Sequence, residues 1–336
     1  MRIALDAMGG DAAPAVNVEG AIKAIERFPS AEVILVGDEA ALQAEMKRLG
    51  ANSSRISIRH ASQVVGMDES PVEGLRRKPD SSIRRSVELM AEGKADAVVS
   101  AGNTGAFVAA TAFNLRPLKG VKRPGIAVTF PIPAGKGKCT VIDVGANIKC
   151  KPIHLLQYSI MASIYNKLIH NIEEPIVGLL NIGEEDAKGT DLVKETHALL
   201  SRAPLKFKGN VEGRDILLGE CDVVVCEGFV GNVILKLSEG IWEALLRSFY
   251  NEAKRSWRAK LGLLLCKPLI ENLKKRNDFT EYGGAPLLGV DGICIVCHGS
   301  SDAKAIHNAI GAAIKFSQYQ VNEHITKSIS ADGPQE

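Results

Sequence analysis

Short apolar runs rich in β-branched residues alternate with longer amphipathic stretches along almost the whole chain, and this alternation is what most limits its possible folds. The pattern predicts strands over 2–6, 32–37, 56–59, 96–100, 124–129, 138–143, 176–181, 205–208, 222–227 and 293–298. It predicts helices over 14–27, 39–49, 82–92, 104–115, 153–170, 188–201, 232–254 and 302–317. Strand–helix alternation builds βαβ units, so the expectation is an α/β fold: a large, mostly parallel sheet with helices on both faces. Near-continuous runs such as Val223-Val224-Val225-Cys226 suit strands buried on both sides. No Pro-, Gly- or Ser-rich linker divides 1–328, which reads as one domain followed by a polar tail over 329–336.

Composition removes several classes of function. Of the 336 residues, 46% are hydrophobic and 24% charged, a globular balance that excludes disorder and collagen. Only 5% are aromatic and the net charge is +2, which argues against a nucleic-acid binder. Of seven cysteines, the closest pair, Cys294 and Cys297, lies in a strand-like run. No second pair completes a zinc site, so the thiols read as structural, in a reducing cytoplasm. A strand, Arg2-Ile3-Ala4-Leu5, opens the chain directly, and no signal-peptide core is expected. The longest uncharged run, 97–115, is broken by Ser100-Ala101-Gly102-Asn103-Thr104-Gly105 and reads as strand, turn and helix rather than a membrane span.

Six strands run into similar polar, glycine-rich turns. These are Asp6-Ala7-Met8-Gly9-Gly10-Asp11, the Ser100–Gly105 turn, Asp143-Val144-Gly145-Ala146-Asn147, Asn181-Ile182-Gly183-Glu184-Glu185, Glu227-Gly228-Phe229-Val230-Gly231-Asn232 and His298-Gly299-Ser300-Ser301. Ligands of open α/β sheets bind past the carboxyl ends of strands. Glycines let the backbone approach a ligand, and the free N–H groups of a helix start favour an anion. The expectation is therefore one ligand cleft along one sheet edge. A second cluster, Gly74 to Ile83, sets Arg76, Arg77 and Lys78 before Ser81 and Ser82, either as a phosphate cradle or as a solvated basic loop with a serine cap.

Familiar signatures are missing. The chain has no G-x-G-x-x-G, no G-x-x-x-x-G-K-[ST] (Gly135-Lys136-Gly137-Lys138 is only superficially similar), no H-E-x-x-H and no G-x-S-x-G. The anion site then suits inorganic phosphate or a phosphorylated metabolite.

Taken in order, these strings resemble the bacterial phosphate acyltransferases of phospholipid synthesis, the PlsX type. Lys78-Pro79-Asp80-Ser81-Ser82, Lys188-Gly189 and Tyr282-Gly283-Gly284-Ala285-Pro286-Leu287-Leu288-Gly289 add to the likeness, which runs from Met1 to about Phe316. Three positions depart from the family pattern: Glu227 and Lys149 stand where Asp is expected, and Ile153 where Glu is expected. The resemblance implies a three-layer α/β/α sandwich like those of isopropylmalate dehydrogenases and phosphotransacetylases. It implies that acyl-[acyl carrier protein] and inorganic phosphate give acyl phosphate and free carrier protein, feeding glycerol-3-phosphate acylation. It further implies a homodimer.

Phosphate can attack a thioester directly, without an enzyme nucleophile, metal or organic cofactor. The protein must hold a charged phosphate near the acyl carbon and stabilise an oxyanion. Lys188 and Asn232 are the first candidates for this, and His298 the third. Asp6, Gly9, Gly10, Asp11, Lys78, Ser81, Ser82, Asn103, Thr104, Asp143, Asn147 and Gly231 are the expected substrate or phosphate contacts. The competing route, an acyl-cysteine at Cys226 or Cys139, has no histidine partner in the sequence.

Residues 254–276 carry +7, and Trp257, Leu261, Leu264 and Leu265 form a helical apolar stripe. This inserted segment reads as an interfacial helix on the cytoplasmic face of an anionic membrane, as a dock for the acidic carrier protein, or as a packing helix. Membrane contact would place the chain beside a glycerol-3-phosphate acyltransferase. A coenzyme A-dependent transacylase, a metal-dependent dehydrogenase of the same superfold and a lipid-binding scaffold are the alternative functions.

Overall fold

A computed structural model describes residues 1–132, 137–254, 256–277 and 283–332, without the side chains of 243, 271–277 and 331–332. Gly135, Lys136, Arg255, Tyr282 and 333–336 lie outside the described residues.

The strands are β1 (Arg2–Asp6), β2 (Glu32–Gly37), β3 (Ile56–His60), β4 (Ala97–Ser100), β5 (Gly125–Pro131), β6 (Lys138–Ile142), β7 (Ile176–Leu180), β8 (Lys206–Val211), β9 (Val223–Val225), β10 (Ala285–Leu288) and β11 (Ile293–Val296). The helices are α1 (Ala15–Arg27), α2 (Glu39–Arg48), α3 (Pro71–Arg77), α4 (Ser82–Ala91), α5 (Thr104–Asn114), α6 (Pro152–His170), α7 (Asp191–Leu200), α8 (Asp215–Leu218), α9 (Gly228–Lys254), α10 (Trp257–Asn277), α11 (Ala303–Gln318) and α12 (Val321–Asp332). The strands form one sheet in the order β3-β2-β1-β4-β11-β10-β5-β6-β9-β7-β8.

Most neighbours are parallel, as expected, but β11–β10, β10–β5 and β5–β6 are antiparallel. These reversals turn the two parallel halves in opposite directions. The carboxyl ends of β1, β4 and β11 therefore lie at one edge, and those of β6, β7 and β9 at the other. The single ligand edge expected from the sequence is corrected to two.

Both faces of the sheet are buried. On β1, Ala4 packs into one apolar cluster with α4 and α5, while Ile3 and Leu5 pack into another with α1 and α11. In the second half, Val141 and Val224 share the α4/α5 cluster. Ile142, Val223 and Val225 pack under α6 on the opposite face. Parallel crossovers supply these covering helices. The antiparallel steps β5–β6 and β10–β11 have no crossover helix, so the centre of the sheet is left less covered. A cavity sits there on each face.

Four elements depart from the sequence expectation, one of them the four-residue helix α8, too short to show a helical period. The sequence pattern does not predict strand β10, because Pro286 lacks the ladder donor and breaks the strand signature. Helix α3 occupies the basic loop. Helix α12 runs through Asp332, past the expected start of the tail, with Ile329 buried against Gly120.

Candidate active site

At the first edge, three strand-end loops meet. Asp6, at the end of β1, is buried and accepts a 2.7 Å hydrogen bond from the Ser100 hydroxyl at the end of β4. Burial pushes the Asp6 carboxyl above its ordinary range. A Cβ on Gly9 would lie 2.6 Å from the Gly102 amide nitrogen, so only glycine permits this approach of the loops. The Asp11 amide donates to the Gly299 carbonyl at 2.8 Å, tying in the loop after β11. A Cβ on Gly10 would lie 3.1 Å from the same carbonyl oxygen, and Asp11 itself is exposed.

Asn103 and Asp143 organise loops rather than offering free side chains. Asn103 caps α5 by accepting from the Ala106 amide, and it donates to the carbonyls of Gly66, Met67 and Glu69. Asp143 is fully buried and accepts from the amides of Ile126, Gly145, Ala146 and Asn147. Burial raises its carboxyl too. Asn147 donates to the Pro124 carbonyl and the Tyr158 hydroxyl, locking the same turn. Gly231 packs onto this turn, where a Cβ would collide with the Asp143 carbonyl oxygen. In this structure the Asp6, Asp143 and Asn147 side chains bind neighbouring loop groups, while Asp6 Oδ1 is buried without a hydrogen-bond partner among the described residues.

The basic cluster around Lys78 also changes meaning. The Lys78 ammonium pairs with Glu69 and donates to the Val64 carbonyl, and this pairing holds the Glu69 carboxyl low. Ser81 and Ser82 are buried, with Ser82 against Asp6. Lys78 and Ser82 are thus engaged internally, whereas the buried Ser81 Oγ has no hydrogen-bond partner among the described residues.

A cleft of about 250 Å³ opens between α5 and α9 on the α4/α5 face. Ile126, Val128, Val144, Leu235 and Val296 give it an apolar floor. Thr104, Asn232, Lys236, Glu239, His298 and Ser301 supply its polar groups. The cleft thus draws on strand ends from both edges. Asn232, Lys236 and Glu239 stand at i, i+4 and i+7, one face of α9. Lys236 Nζ lies 2.9 Å from Oε2 of Glu239 and 2.9 Å from Nε2 of His298. His298 Nδ1 is 2.7 Å from the Ser300 hydroxyl oxygen. Glu239 Oε1 and Ser301 Oγ are buried without a hydrogen-bond partner among the described residues.

The structure therefore brings Asn232, His298 and Thr104 together, as expected. Lys236 and Glu239 went unrecognised, although their spacing from Asn232 was readable in the sequence. Lys188 does not line the cleft: it is exposed and 2.9 Å from Glu185. Its loop follows β7, the parallel neighbour of β9, so it emerges at the same edge as Asn232. Cys139 and Cys226 are fully buried, and burial raises both thiols well above their ordinary range, which removes the thiolate an acyl-cysteine route needs.

A continuous α/β/α layer sandwich with a cleft at its central strand reversal defines a phosphotransacylase-like fold. A phosphotransacetylase from Streptococcus pyogenes superposes with a TM-score of 0.60 at 16% identity, covering 94% of each chain. A branched-chain phosphotransacylase from Enterococcus faecalis V583 gives 0.55 at 13% identity, covering 94% of this chain and 98% of that one. The family model described as "Fatty acid synthesis protein" matches residues 1–324. Relatives named "Phosphate acyltransferase" from Geotalea uraniireducens and Geobacter sulfurreducens are each 48% identical, over 99% of this chain and 96% and 95% of their own lengths. The chain belongs to this family, the phosphate acyltransferases.

Proposed function

We propose that the chain converts acyl-[acyl carrier protein] and inorganic phosphate into acyl phosphate and free carrier protein, for use in glycerol-3-phosphate acylation. The observation that carries this reading is the composition of the cleft. An apolar floor ends against Asn232, Lys236 and His298, which suits an acyl chain whose thioester meets an anionic nucleophile.

A phosphate oxygen attacks the thioester carbonyl carbon, a C–O bond forms, and the C–S bond breaks as the thiol leaves. Asn232 donates to the tetrahedral oxyanion, and Lys236 holds the phosphate while Glu239 and His298 fix its position. Lys188, on the adjoining loop, is the second phosphate cation once Glu185 releases it. The leaving thiol has a pKa near ~8.5, so its departure demands little protonation.

Two surface features support partners. Phe229, Val233, Leu237, Ile241, Leu245 and Phe249, spaced four apart on α9, are all exposed and suit a second copy of the chain. On α10, Trp257, Leu261, Leu264 and Leu265 are 71%, 50%, 65% and 74% exposed among basic residues. The exposure of that stripe supports peripheral contact with an anionic cytoplasmic membrane face. No helix among the described residues is long and apolar enough to cross a membrane.

Release of the carrier-protein thiol, followed with a thiol reagent, tests the reaction. Release should require inorganic phosphate and should be faster with acyl carrier protein than with acyl-coenzyme A. Equal release without phosphate would make the chain a thioesterase instead, and a preference for coenzyme A would favour the short-chain transacylase alternative.

A further inference from the structure

Beside the mouth of the cleft, on the outer side of the Asp143 turn, cations gather around one exposed apolar side chain. Ile148 is 69% exposed, and Arg123, Lys149 and Lys151 are exposed as well. Arg123 donates to Asn147 Oδ1 at 3.3 Å. Burial, then the charges of Arg123 and Lys151, hold the His154 imidazole below its ordinary range, which places those two cations around one ring at the start of α6. Lys149 lies between Ile148 and Lys151 on the same loop. None of the three cations forms an ion pair among the described residues. The acids of this corner are engaged elsewhere: Asp143 is buried and accepts from four amides, and Glu227 accepts from the Val230 amide.

This face adjoins the cleft. Asn147, which Arg123 holds, is two residues from Gly145, and Gly145 lines the cleft where a Cβ would lie 3.7 Å from the Asn232 side chain. A macromolecule seated on Ile148 would therefore hold an attached arm beside Asn232. The charge calls for an acidic partner. A two-fold contact centred here would set like charges of two copies against each other. A membrane is better served by the four exposed apolar side chains of α10 than by one isoleucine.

We propose that the Arg123, Ile148, Lys149 and Lys151 face seats the acyl carrier protein, through an acidic surface of that partner. The proposal rests on the reading of the chain as a transacylase that takes its acyl group from the carrier protein. Complementary charge steers the encounter and fixes its register, and Ile148 supplies the apolar contact. Lys149 stands where the family pattern has Asp, so this charge sets the face of this chain apart.

Fluorescence anisotropy of labelled acyl carrier protein with the full-length chain tests the face apart from catalysis. Wild-type affinity should fall as salt rises. In Lys149→Glu/Lys151→Glu it should fall at least about tenfold, and in Ile148→Ser about fivefold. The charge-matched pair Lys47→Glu/Lys94→Glu, at exposed positions on α2 and after α4, should bind as wild type. Phosphate-dependent thiol release from acyl-pantetheine, which has no protein surface, should be unchanged in every variant. The predicted affinity losses with no turnover of any thioester, even in wild type, would sink the transacylase reading and leave the docking face standing. Unchanged carrier affinity in Lys149→Glu/Lys151→Glu, or an equal loss in Lys47→Glu/Lys94→Glu, would overturn the proposal. An equal loss of acyl-pantetheine turnover would overturn it too, by showing damage to the cleft. Loss of vesicle binding or of self-association with carrier affinity intact would give the face to a membrane or to a second copy instead.

Discussion

Lys236 on α9 and His298 past β11 face each other across the cleft, with Nζ 2.9 Å from Nε2. The two residues belong to opposite halves of the sheet and are 62 positions apart in the chain. Their contact closes the gap left by the strand reversal and sets a cation beside the apolar floor. Replacing Lys236 with Met should lower kcat/KM for phosphate by about tenfold, equivalent to about 1.4 kcal/mol, while thermal stability stays near wild type. Unchanged phosphate kinetics would remove Lys236 from the site.

Asn232 is exposed at the start of α9, beside the Gly145 turn. Asn232→Ala should leave the melting temperature unchanged and reduce kcat about 100-fold, the effect of losing one oxyanion donor. A rise in KM alone, with kcat intact, would make Asn232 a binding residue rather than an oxyanion donor.

Gly231 separates framework from chemistry. Gly231→Ala forces a methyl group against the Asp143 carbonyl and must displace α9 or the Asp143 turn. It should cost about 1–3 kcal/mol of stability and reduce activity together, unlike Asn232→Ala. Denaturant unfolding of the two variants measures the contrast. Wild-type stability in Gly231→Ala would show that the turn yields easily.

These residues also show what a sequence can disclose. β1 and β4 were legible because their apolar runs are unbroken and end in Asp6 and Ser100. Asn232 and His298 were legible because each follows a strand at a glycine-rich turn. The single ligand edge was not, because pairing direction is set by β10, a four-residue strand with a proline that carries almost no local signal. Lys78 misled for a different reason. Its partner Glu69 sits nine residues away across α3, and charge on a sequence does not reveal a counterion brought in by folding.

Acid should reveal His170. Its folded pKa, about 3, is far below the ordinary value of about 6.5, so the unfolded chain takes up the proton first. The stability from keeping it neutral is full above about 6.5 and is lost as pH falls toward 3. Between pH 7 and pH 5 the wild type should lose up to about 2 kcal/mol more than His170→Gln, measured by denaturant unfolding. Equal losses would mean that the ring is not held neutral by its surroundings.

Leu264, 65% exposed on α10, tests the membrane reading. Leu264→Glu should weaken binding to anionic vesicles without changing turnover in solution. Vesicle binding equal to wild type would leave the stripe to the carrier protein or to a second copy of the chain.

The most direct measurement is chemical capture of the product. The purified protein is mixed with long-chain acyl carrier protein and inorganic phosphate, and acyl phosphate is trapped with hydroxylamine. The reaction proposed here predicts acyl hydroxamate that depends on both enzyme and phosphate and falls sharply in Asn232→Ala. Acyl hydroxamate that forms equally without phosphate, or none at any chain length, would contradict it.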